Sequence, residues 1–245
     1  MSERPQRSEG RSRGSDRGRG NPARSKRGHQ AERVGLGGYP VNLIVAGKRC
    51  VVVGAGRVAA RKIESLLDAG AVVHVIAPQV GNDVRRWRDE GRLSLDERAF
   101  TPGDLDGAWL ATAATGDAAV DRGVFEAGEA RHIWVNAADD PASCSFTLMS
   151  VVRRGDLVVT IGTGGRSPAL AAYLKDRLAS ELGPEWAVLL DLLAEAREAL
   201  RASGRSSEEV DWRRVVDSGM LESIRAGRTA EAKELLQACL SSSSG

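Results

Sequence analysis

Three short stretches hold residue types that can do chemistry. Residues 54–59, Gly-Ala-Gly-Arg-Val-Ala, follow the run Cys50-Val-Val-Val53 and open an amphipathic segment. A strand, a tight glycine turn and a helix in that order offer backbone amides and a helix N-terminus to a phosphate. Gly54 permits the turn, Gly56 lets a pyrophosphate approach the backbone, and Ala59 lets helix and strand pack closely. Ala55, Arg57 and Val58 complete the expected cofactor-binding turn, with Ala77 and Pro78 where the next strand stops. Asp139 and Asp140 follow the fifth expected strand, at the carboxyl edge where ligands bind in open α/β sheets. A carboxylate there can accept a proton, although Asp-Asp-Pro is also an ordinary turn. Thr163-Gly-Gly-Arg-Ser-Pro168 places glycines, a hydroxyl and a cation ahead of a helix, which makes either an anion site or a simple helix cap.

A parallel sheet is what positions the first two stretches. From Tyr39, short apolar runs alternate with amphipathic segments, the pattern of an α/β domain. Strands are expected at about 49–54, 71–78, 93–100, 108–115 and 132–141, and helices at about 58–69, 80–89 and 117–130. Gly70 ends the first helix and Asp117 caps the third. After Pro141 the rhythm breaks. Residues 144–165 read as two strands joined at Arg154-Gly155-Asp156, followed by a helix with Ser167 as cap and Pro168 in its first turn. That hairpin holds more apolar and β-branched residues than a lone ribbon can bury, which predicts a two-fold interface and a homodimer. Beyond Gly183, Trp186, Leu189, Leu190, Leu193 and Leu200 recur at helical spacing. The expected divisions are therefore a tail (1–38), a nucleotide-binding domain (39–142), a dimerisation region (143–183) and a helical domain (184–245).

Composition removes several function classes. The formal net charge of the 245 residues is only +2, yet the first 33 residues hold ten Arg and Lys against four acids. That stretch has no aromatic residue and little that is apolar, so it cannot repay the entropy of ordering and reads as disordered. With no aromatic to stack on bases, it is a poor nucleic-acid arm. It lacks the apolar core of a secretory signal, and no run approaches the ~18 apolar residues of a membrane span. Cys50, Cys144 and Cys239 stand far apart, as do His29, His74 and His132. No metal-ligand cluster is written there, and the cysteine usage fits a reducing cytoplasm.

Read together, "GAGRVAARKIESLLDAGAVVHVIAP", "LATAAT", "VNAADDP", "SF" and "TGGRSPALAAYLKDRL" resemble, in order and spacing, the precorrin-2 dehydrogenase and sirohydrochlorin ferrochelatase family of siroheme synthesis. The resemblance covers roughly residues 39–182. It implies a Rossmann domain followed by a dimerisation region and a small helical domain. It also implies NAD-dependent oxidation of precorrin-2 to sirohydrochlorin, with iron insertion added in some members. Carried across, the catalytic aspartate falls on Asp139, three residues after Asn136. Asn136, Thr163, Gly164, Gly165, Arg166 and Ser167 become the expected substrate-binding set. Thr163 stands where several members have serine, and Met149 where members often have proline. From the residues alone NAD and NADP stay open, because no acid ends the second strand. The competing reading is a non-catalytic NAD-sensing module, which has no reason to contain the 163–168 motif.

Overall fold

The computed structural model describes residues 38–242; of the expected tail at residues 1–38, all but Gly38 lies outside them. Five parallel strands form one sheet: β1 (Arg49–Val53), β2 (Val72–Ile76), β3 (Leu93–Asp96), β4 (Leu110–Ala113) and β5 (Trp134–Ala137), in spatial order β3-β2-β1-β4-β5. Three helices cross over between them: α1 (Arg57–Asp68), α2 (Asn82–Asp89) and α3 (Ala118–Glu129). The central strand explains the layering. Cys50 and Val52 point to one face, where they pack with Ala59 and Ile63 of α1 and with Val84 and Trp87 of α2. Val51 and Val53 point to the other, against Val124 and Ala127 of α3. A strand covered on both faces has no polar side, which is why β1 reads as an uninterrupted apolar run.

Two expected boundaries move. The third strand ends at Asp96 and not near residue 100, because Asp96 pairs with Arg98 at 2.7 Å and the Thr101–Asp104 capping box then turns the chain into a short 3-10 segment, Pro102–Leu105. The first hairpin strand starts at Ser150 and not at 144. Residues 144–146 instead run along β5: Ser145 N donates to Val135 O at 2.7 Å, Cys144 forms an antiparallel bridge with Asn136, and Phe146 packs on the α1–α2 face.

β6 (Ser150–Arg154) and β7 (Leu157–Ile161) form a separate antiparallel pair, with Gly155 in the left-handed region at the turn. Helix α4 (Pro168–Glu181) packs on both strands. The chain ends in α5 (Glu185–Ala202), α6 (Trp212–Val216), α7 (Met220–Arg225) and α8 (Thr229–Ser242). These helices share their own core of Leu189, Leu192, Leu200, Val215, Met220 and Leu236. Among the described residues no helix is long and apolar enough to cross a membrane.

Candidate functional site

Strand order reverses between β1 and β4, so the crevice at their carboxyl ends is the place where this sheet offers a site. The glycine turn lies there. Gly54 has φ +109°, and a Cβ on it would sit 2.4 Å from Ala114 O, so no side chain fits. Gly56 differs: a Cβ there would meet nothing within 4 Å. It is the N-cap of α1 and supplies no side-chain acceptor, which leaves the first-turn amides of Arg57, Val58 and Ala59 open to a ligand. Asp117 and Ser167, by contrast, cap α3 and α4 with their own oxygens. An uncapped helix end beside open space fits the pyrophosphate of a dinucleotide.

Neighbouring loops are fixed around this turn. Gly81 N donates to Ala55 O at 3.0 Å, and a Cβ on Gly81 would lie 2.9 Å from that oxygen. The start of α2 is thus locked to the nucleotide turn. Across the crevice, Thr115 donates to the buried Asp121 through its amide and its hydroxyl, at 3.1 and 2.7 Å. Ala77 is buried and Pro78 exposed at the end of β2. Arg85 and Arg86 are both engaged, with Glu97 at 3.1 Å and with Asp83 at 3.1 Å respectively.

The end of β5 carries the acids. Asn136 is buried, and its Nδ2 donates to Phe146 O at 3.1 Å while its Oδ1 accepts from Lys62 Nζ at 2.7 Å. The two aspartates then part. Asp140 caps a 3-10 turn, Pro141–Ser143, accepting from Ala142 N at 3.2 Å and Ser143 Oγ at 2.6 Å, and it faces Arg122 at 3.6 Å. Asp139 is exposed, has φ 61°, and among the described residues takes part in no ion pair. Burial pushes the Lys62 ammonium below its ordinary value, opposed by the charges of Cys144 and Asp139.

The 163–167 stretch stands apart from these strands, on the loop between β7 and α4. Gly164 and Gly165 are left-handed, with φ 61° and 74°. Thr163 Oγ1 accepts from Ser167 N at 3.3 Å and donates to Ser167 O at 3.2 Å, while Ser167 Oγ accepts from Leu170 N at 3.2 Å. Both hydroxyls are therefore used within the loop. Arg166 is exposed.

Lys62, Gly81 and Asp121 were not among the expected site residues. Lys62 left a signal, since it follows Ala59 by three positions and adjoins Ile63, on the stripe of the helix that faces the sheet. Gly81 and Asp121 act through loop contacts that no local pattern announces.

An open parallel sheet with an uncapped glycine turn at its switch point defines a dinucleotide-binding protein of the Rossmann type. Residues 41–150 match a family described as "Putative NAD(P)-binding". The chain is 34% identical over 203 residues to the siroheme synthase of Nitrosococcus oceani, covering 82% of this chain and 43% of that protein. It is 36% identical over 208 residues to the siroheme synthase of Thiobacillus denitrificans, with 83% and 43% covered. Among solved structures it is similar to SirC, a precorrin-2 dehydrogenase, with a TM-score of 0.64 and 26% identity over 83% of this chain and 99% of that one. These likenesses support the family that the sequence resembles, that of precorrin-2 dehydrogenases and sirohydrochlorin ferrochelatases. The chain spans less than half the length of the siroheme synthases that it matches.

Proposed function

We propose that this chain oxidises precorrin-2 to sirohydrochlorin with NAD, and that Asp139 accepts the proton. The observation that carries the reading is the division between the two aspartates. Asp140 is spent on a turn and an arginine, whereas Asp139 is held exposed at the sheet edge in a backbone conformation that costs a non-glycine residue. Strain of that kind persists where surroundings impose it, and it concentrates at functional positions. Oxidation of the macrocycle sends a hydride to one acceptor and a proton to another. NAD, when bound, supplies the hydride acceptor; Gly54–Ala59 would hold its pyrophosphate, with Ala77 and Pro78 flanking the adenosine side. Precorrin-2 is a polycarboxylate, and Asn136, Thr163, Gly164, Gly165, Arg166 and Ser167 are the proposed contacts to it. The proposed divisions are a nucleotide-binding domain over 39–142, a dimerisation region over 143–183 and a helical domain from 184 onward. Cys50 and Cys144 are free thiols, in keeping with the cytoplasmic setting proposed for the chain.

Two single substitutions test the assignment. Asp139→Ala should bind NAD and precorrin-2 as wild type does and lose turnover by on the order of 10²–10⁴. Asp140→Ala should keep most of the rate and lose about 1 kcal/mol of stability with its cap. Near-normal sirohydrochlorin formation by Asp139→Ala would return the Asp-Asp-Pro stretch to the role of a turn.

A further inference from the structure

Three departures from what stability alone would select meet at one point of the fold. A lysine, Lys62, is half-buried on the sheet-facing stripe of α1. An asparagine, Asn136, is buried in β5, beside Thr112 of β4. A non-glycine residue, Asp139, takes a left-handed backbone three positions later. Each costs free energy by a separate route: desolvation of a charge, burial of an amide, and backbone strain.

Lys62 and Asn136 answer one another. Phe146 O can only accept and the Lys62 ammonium can only donate, so the asparagine amide has one permitted orientation, Nδ2 toward Phe146 and Oδ1 toward Lys62. The 2.7 Å contact spans 74 residues of sequence and joins the helix that Gly56 caps to the strand that ends before Asp139. Among the described residues Lys62 has no carboxylate within ion-pair distance, so its charge is not spent on a salt bridge. Burial lowers the ammonium while Asp139 and Cys144 favour it, which places its charge in the field of the acid-bearing turn.

We infer that Lys62 is a positioning residue of this site, which fixes the Asn136 amide and thereby ties the nucleotide-binding helix to the turn that presents Asp139. The rate arm of the test rests on the dehydrogenase reading; the structural arm does not. In the structural arm, the Asn136 side-chain amide is followed by ¹⁵N NMR in the full chain and assigned by its loss in Asn136→Ala. Wild type should show slow exchange of the amide protons, and Lys62→Met should exchange at least about tenfold faster. Unchanged exchange in Lys62→Met overturns the inference. In the rate arm, Lys62→Met should lower kcat for precorrin-2 oxidation by on the order of tenfold to a hundredfold, with KM for NAD little changed. Lys62→Arg, which keeps charge and donor, should recover part of that loss. In an Asn136→Ala background the same Lys62→Met change should cost about twofold or less, because its target is already gone. Equal losses in both backgrounds would show that Lys62 acts independently of Asn136 and would also overturn the inference. Absence of turnover in wild type, with the amide behaviour as expected, would count against the dehydrogenase reading and leave the lysine's role standing.

Discussion

Gly54 and Gly56 stand two residues apart and answer to different constraints. The first is required by the fold, since its positive φ and the Ala114 carbonyl leave no place for a side chain. The second faces open space, so its small size matters only when something occupies that space. Gly54→Ala should therefore cost more than about 3 kcal/mol of stability, read by denaturant unfolding. Gly56→Leu should fold normally and lose NAD binding, read by calorimetric titration; unchanged NAD affinity would remove the turn from the site. The sequence shows this turn clearly because its glycine spacing is local. Asn136, seen in isolation, is one polar residue in an apolar strand, and Lys62 one cation in an amphipathic helix. Their meaning lies in a contact between distant segments, which no window of sequence contains.

At the scale of elements, alternation predicted β3 too long and the hairpin too early. Both errors share a cause: side chains that look strand-like take partners across a turn. Arg98 illustrates it by bridging Asp96 and Asp104, at 2.7 Å to each. Its hydrogen bonds hold the Asp104 carboxyl at about 2, against burial, which acts the other way, and with help from Thr101. A carboxyl whose folded value lies below its ordinary 3.8 adds stability that is full above that pH and is lost as pH falls toward 2. Asp104→Ala should accordingly lower Tm by a few degrees at neutral pH, and the gap to wild type should close as the pH is lowered from about 5 to about 2. A gap independent of pH would mean that the clamp contributes only packing. Helices α3 and α4, in contrast, begin close to where the sequence indicates, because Asp117, Ser167 and Pro168 carry their capping chemistry in their own side chains.

For the molecule as a whole, the 163–167 loop follows the β6–β7 ribbon and not the five-stranded sheet that carries the nucleotide crevice. Val151 and Val158 on that sheet and Leu170 and Tyr173 on α4 are exposed. A two-stranded ribbon with such a surface is marginal by itself, and pairing with a second copy would cover it. Sedimentation of the full chain at micromolar concentration should give a dimer; a stable monomer would remove the proposed interface. The proposed reaction is read out by the anaerobic conversion of precorrin-2 by the wild-type chain with NAD, following both products. One NADH should appear for each sirohydrochlorin formed, with no conversion when NAD is left out. Precorrin-2 that stays unchanged in the presence of bound NAD, or sirohydrochlorin that forms without NADH, would rule out NAD-dependent oxidation by this chain.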